Sequence, residues 1–152
     1  MIWIRAFGWL PVPVFYTDWL PKSRGGIALG PVALIRPKYR NDEGITRHEL
    51  VHVEQFYILW IMLAVAGAPL ALWWFSDWTV VAKVVGLCVL GFPVLYLTSR
   101  SFRLAAEAAA YREQMCWPNS AGGYLSINKA AEFLTNRYWL GISMDEARAS
   151  LQ

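Results

Sequence analysis

Two uninterrupted apolar runs dominate the pattern of this chain. Phe56 to Phe75 holds no charge, and Trp78 to Thr98 holds a single one, Lys83. Each reaches the ~20 residues that an α-helix needs to cross a bilayer, and only Ser76 and Asp77 separate them. The pattern predicts a helical hairpin with transmembrane helices at about 56–75 and 78–98. Trp73, Trp74 and Trp78 would anchor its tip at one interface. Lys83, about a turn inside, would snorkel to the same interface. Pro69 and Pro93 fall within the runs and predict kinks. A competing reading makes the same runs two buried core helices of a soluble protein.

Polar and mixed segments surround the hairpin. The segment from Met1 to Lys22 mixes aromatics with Pro11 and Pro13 and reads as lying on the membrane surface. From about 25 to 40 the chain reads as a short β segment, with turn signals at Gly25-Gly26 and Gly30-Pro31. A polar loop follows, and Thr46 is the expected cap of the next helix. After the hairpin, "SRSFRLAAEAAAYREQM" is Ala-rich and predicts an unbroken continuation of the second spanning helix. Beyond the loop that starts at Trp117, cytoplasmic C-terminal helices are expected at about 126–152, capped by Ser126 and Ser143, with Glu146 closing a capping box.

Composition agrees with a membrane protein. Of the 152 residues 57% are apolar and only 16% charged, against about 25% charged in an average soluble domain. The net charge of +3 is modest and no clustered basic face or matching fold motif is present, so no nucleic-acid partner is expected. Cys88 and Cys116 have no metal-ligand spacing and imply no disulfide framework. No cleavable signal peptide is legible at the N-terminus. Of 14 Lys and Arg residues, 13 lie outside the hairpin on its open side. The positive-inside rule then puts both termini in the cytoplasm of a bacterial-type inner (plasma) membrane, in a multi-pass arrangement. Membrane lipids are the first expected partner.

The chemistry concentrates just before the first run. "HELVH" contains the only two histidines, His48 and His52, at i and i+4, with Glu49 between them. On a helix these imidazoles share a face and can reach one Zn2+ ion. Glu49 lies about 100° round the helix, placed to act as general base on a metal-bound water rather than as a ligand. With two His and seven Glu in the chain, the pattern would arise by chance in about one sequence in a thousand.

Two histidines and a water leave zinc one ligand short. Glu107, in "AAEAAAY", is the best candidate for the third, because the hairpin returns it towards the first helix. Counted from Asp77, Glu107 lies further along its limb than His52 does along the other, a mismatch of about 8 Å for straight helices. The alanines at 105, 106, 108, 109 and 110 would let the two helices approach closely. Glu113 is the next choice.

"HELVHVEQ" followed by "EAAAY" resembles the gluzincin branch of zinc metallopeptidases, most of all its small, membrane-anchored bacterial and phage-type forms. The motif residues cover about 15 positions; the order of strand, active-site helix and glutamate helix covers most of residues 25 to 116. The resemblance implies His48, His52 and Glu107 as metal ligands, Glu49 as the catalytic residue and zinc as cofactor. It departs where many relatives carry an acidic residue four positions after the ligand Glu, since Tyr111 stands here. Gln55 shares the histidine face and would orient a ligand or substrate. Tyr111, Arg137 and Tyr138 are candidates for stabilising an oxyanion. Val32 to Ile35 would offer an edge strand to an extended peptide.

The sequence therefore predicts a mainly α membrane protein, in which the cytoplasmic extensions of a two-helix transmembrane hairpin form a minimal zincin-like α+β catalytic domain. The expected function is a membrane-anchored zinc metalloendopeptidase, acting on peptide or membrane-protein substrates near the cytoplasmic surface. An intramembrane zinc protease is the second reading, opposed by the charges of "RPKYRNDEGITR". The third is a non-catalytic two-helix membrane protein, such as an assembly or lysis factor.

Overall fold

The first apolar run is the outer part of one long helix. In the computed structural model, which describes residues 1–152, α1 spans Glu43–Phe75 without interruption and includes Pro69. Its 33 residues extend about 50 Å, well beyond the ~30 Å hydrocarbon core of a bilayer. The segment before Phe56 is therefore a platform that continues the apolar run. Asp42, rather than Thr46, caps this helix: its side chain accepts from the Ile45 N–H at 2.8 Å. Thr46 instead donates its hydroxyl to the Asp42 carbonyl at 2.9 Å. An aspartate cap of this kind stabilises a helix by about 1 kcal/mol.

The chain reverses at Ser76, in the left-handed conformation, and Asp77 caps α2, Trp78–Leu87. A 3-10 turn over Cys88–Leu90 leads into α3, Gly91–Thr98. Only 6% of the most apolar window of each limb is buried, so these are not the buried core helices of the soluble reading. Trp73, Trp74 and Trp78 at the tip are exposed.

The second limb does not continue unbroken. Ser99 adopts an extended backbone and caps α4, Arg100–Met115, accepting from the Phe102 N–H at 3.2 Å. The physical reason is on both sides of the break. Arg103 donates to the Tyr96 and Leu97 carbonyls at 2.7 and 3.2 Å, satisfying the exposed end of α3.

The N-terminal segment does not lie on the surface as a separate piece. It forms β1, Ile2–Ala6, and β2, Leu10–Tyr16, which with β3, Gly26–Leu29, and β4, Val32–Ile35, make one four-stranded sheet ordered β1-β2-β4-β3. The β2–β4 pair is parallel and the other two are antiparallel. The two prolines fall where β2 has a neighbour on one side only: β4 pairs with Val14–Tyr16, while Pro11 and Pro13 face β1 alone. A missing ladder donor is tolerated at such places. The sheet extends well outside the expected 25–40 segment. Its inner face packs on α1 through Ala6, Val12, Leu50 and Val53.

On the other side of α1, α4 packs antiparallel, with Ala106, Ala108 and Ala110 buried. Beyond a loop, α5, Ile127–Arg137, and α6, Met144–Ser150, are capped by Ser126 and Ser143, the latter in a full capping box with Glu146. They close a second core around Tyr111, Ala131, Leu134, Leu140 and Leu151. The protein is thus mainly helical, with one small sheet and two helices of membrane-spanning length.

Candidate metal centre

The sheet and α4 grip the same two turns of α1 from different sides. Leu50 and Val53 face the sheet, His48 and His52 face α4, and Glu49 faces β3. These positions follow from the periodicity of the helix. A Cβ on Gly26 would come within 2.7 Å of the Glu49 side chain, so only glycine lets β3 approach the carboxylate this closely.

His48, His52 and Glu107 are all buried and come together. His48 Nε2 lies 3.5 Å from Glu107 Oε2, and His52 Nε2 lies 3.5 Å from Glu107 Oε1. One ligand atom from each lies within 4.8 Å of the others. Two imidazole nitrogens and one carboxylate oxygen match the three-protein-ligand set of catalytic zinc sites. Glu107 Oε2 is buried without a hydrogen-bond partner, which is costly unless another group meets it. The donor set and this orphaned oxygen fit a divalent metal. Glu113, the alternative ligand, is engaged elsewhere, accepting from Trp117 Nε1 at 2.8 Å.

The surroundings orient these groups. Gln55 Nε2 donates to the Ala106 carbonyl at 3.1 Å, which fixes its amide so that Oε1 faces His52 Nδ1 at 3.0 Å. Nδ1 then carries a proton, and Nε2 is the ring nitrogen turned towards Glu107. Gln55 is accordingly a partner of a candidate ligand. The Tyr111 ring packs edge-on against His48, centroids 4.5 Å apart, and its hydroxyl meets that of Tyr138 at 2.9 Å. His48 Nδ1 has no hydrogen-bond partner. The ring is held by the Tyr111 packing and by Glu107 on its Nε2 side. Arg137 stands apart from the donors, its guanidinium over the Phe133 ring at 3.9 Å.

Electrostatics couple the cluster. Burial raises the Glu49 pKa against the pull of both histidines. Burial alone would lower His52, yet the adjacent Glu107 carboxylate raises it to about 9. Burial likewise works against a charged Glu107, but His52 and His48 hold its carboxyl well below the usual range. Burial pushes the Tyr111 and Tyr138 phenols up, which keeps both as neutral donors.

Two neighbours were not legible in the sequence. Tyr96 donates its hydroxyl to Glu107 Oε1, and Arg24 stacks over Tyr138, 5.7 Å from the ring centroid. The partner of Glu107 depends on the break at Ser99, which no hydrophobic period announces. The only available signal was the polar Thr98-Ser99 pair ending the apolar run.

The candidate centre lies in a cavity of about 1030 Å³, walled by β3, α1, α3 and the end of α5. Val32–Ile35 does not offer a free edge to it, because β4 lies between β2 and β3; the outer strand on this side is β3. No protein-family model, curated protein or solved structure matches this chain.

Proposed function

We propose that this protein is a membrane-anchored zinc metalloendopeptidase that cuts peptide bonds near the cytoplasmic membrane surface. One observation carries the reading. The donor atoms of His48, His52 and Glu107 lie within 4.8 Å of one another, with Glu49 buried beside them on the helix of the two histidines and facing the same cavity. Bound by these three side chains, zinc would polarise the substrate carbonyl and lower the pKa of a water to ~7.

The chain's own groups supply the rest. Glu49 takes the proton from the attacking water and delivers it to the leaving amine. β3, as the outer strand beside Glu49, holds an extended substrate backbone by strand addition. The three oxyanion candidates, Tyr111, Arg137 and Tyr138, all line the cavity, and the Tyr111 and Tyr138 hydroxyls meet at 2.9 Å. Gln55 and Tyr96 orient His52 and Glu107.

Both termini and the site are assigned to the cytoplasm, with the hairpin tip outside, by the one-sided distribution of Lys and Arg. The turns of α1 from Glu43 to Phe56 would hold the centre within about 20 Å of the hydrocarbon boundary. The deciding experiment combines metal analysis of purified protein with cleavage of an unstructured reporter peptide by wild type and Glu49→Gln. Zinc in both and cleavage only by wild type is the expected result. Zinc with no Glu49-dependent cleavage would leave the non-catalytic reading in front.

A second reading, cleavage at lipid depth, draws on two ring contacts of His52. The His52 ring lies 6.5 and 6.3 Å from the Phe92 and Tyr96 rings of the second apolar limb. Accessibility of cysteines scanned along 44–58 to a membrane-impermeant reagent separates the two depths.

A further inference from the structure

The cavity has two chemically different ends. At the base of the hairpin its walls are Leu29, Phe56, Leu90, Phe92 and Leu97, where the end of β3 reaches Phe56. At the opposite end stand Lys22, Arg24 and Arg137. None of these three cations has a carboxylate within ion-pairing distance. The only acids lining the cavity, Glu49 and Glu107, are buried at its middle. A substrate reaching the basic end therefore meets three exposed cations that no carboxylate pairs.

The apolar end is open on its outer side. Leu29, Leu90 and Leu97 line the cavity and are also 56, 51 and 73% exposed. They come from two elements that each pack on α1 from a different side: the β3–β4 turn and the limb formed by the 3-10 turn and α3. A wall that is apolar on both its inner and outer surface suits a lipid-facing mouth. From Ile45 to Phe56, both lining residues, α1 rises about 16 Å, room for about five residues of extended chain.

We propose that the cavity takes a membrane-anchored polypeptide whose apolar segment enters between the β3–β4 turn and α3, and whose acidic cytoplasmic flank meets Lys22, Arg24 and Arg137. This rests on the peptidase reading of the same centre and adds the substrate's chemistry to it. Charge complementarity selects the acidic flank, and the apolar mouth selects a chain that is already in the bilayer. A free acidic peptide satisfies only one end, and a basic juxtamembrane flank is repelled at the other.

The test uses the full chain as zinc-loaded Glu49→Gln in neutral phosphatidylcholine vesicles, which removes lipid charge as a source of preference. Three labelled peptides are compared by energy transfer: an apolar Leu/Ala segment followed by Asp-Asp-Glu, the same segment followed by Lys-Lys-Arg, and Asp-Asp-Glu on a short polar peptide. The first is expected to bind at least about 10-fold tighter than either of the others. Lys22→Glu/Arg24→Glu/Arg137→Glu should reverse the order of the first two, with zinc content unchanged. If that triple variant does not fold, Arg24→Gln alone should reduce the preference several-fold. Equal binding of acidic and basic flanks, or tight binding of the unanchored acidic peptide, overturns the proposal. Cleavage by wild type separates the two layers. An unstructured peptide cut in a Glu49-dependent manner beside reporters bound without preference removes this inference and leaves the peptidase. The expected binding order with no cleavage of any peptide removes the peptidase, and with it the designation of these peptides as substrates.

Discussion

Tyr96 donates its hydroxyl to Oε1 of Glu107, across a break in the helical limb that places the two residues 11 apart in sequence. This leaves Oε2, the oxygen without a hydrogen-bond partner, facing His48. One carboxylate is thus divided between an orienting contact and a free donor. Removing an orienting partner of a metal ligand typically lowers metal affinity about 10- to 100-fold. Tyr96→Phe is expected to lose zinc to a competing chelator at a correspondingly lower chelator concentration, with the helical content unchanged. Wild-type retention would mean that Glu107 does not depend on this contact.

The ligand set itself predicts about one zinc per chain. Glu107→Ala should lose most of the affinity, because two histidines cannot close the shell. Full occupancy in that variant, measured by elemental analysis after gel filtration, would remove Glu107 from the set.

The protonation of the metal-free site gives a pH dependence with a definite sign. Burial disfavours a charged His52, but Glu107 outweighs it and raises the pKa to about 9. Below that pH the ring holds a proton that zinc has to displace, since only neutral imidazole ligates. Apparent zinc affinity should therefore rise as pH increases towards 9. At pH ~7, binding should release about one proton from this residue. Calorimetry in buffers of different ionisation enthalpy reads that proton directly, and identical heats in all buffers would contradict it.

How much of this was legible in advance differs by segment. The apolar runs, the shared helix face of His48 and His52 and the C-terminal caps could be read because each is a local pattern. The N-terminal strands could not, because Pro11 and Pro13 count against a strand unless the extent of the neighbouring strand is known. The same holds for Val32–Ile35: its β character was readable, its interior place in the sheet was not, since strand order is set by long-range pairing. Glu107 was found by following the hairpin back. Tyr96 was missed because its position depends on Ser99, one polar residue at the end of an apolar run.

Glu49→Gln is expected to keep zinc and fold while peptide hydrolysis falls by at least about 10² to 10⁴, the usual worth of acid–base assistance. The substitution is isosteric and spares the candidate ligands. Turnover of a membrane-tethered reporter checks it, and unchanged turnover with zinc bound would end the peptidase mechanism.

The proposed orientation is testable without any substrate. In a variant lacking Cys88 and Cys116, a cysteine at Asp77 should react with an impermeant reagent added outside intact cells, while cysteines at Asn41 or Asn119 should not. Outside labelling at either of those two positions would invert or abolish the topology.

The interruption at Ser99 also bears on how the protein meets bilayers of different thickness. A rigid rod joining the outer tip to Glu107 would transmit every adjustment of tilt straight to the carboxylate, at about 1.5 Å per residue of slip. Spanning helices accommodate thickness chiefly by tilting. Here Arg103 and Ser99 cap the two sides of the joint, α4 is held to α1 through Gln55 and Ala106, and Tyr96 of α3 reaches Glu107. In the proposed membrane orientation, tilt of the spanning limb would therefore reach the carboxylate through the Tyr96 and Arg103 contacts rather than along a continuous rod.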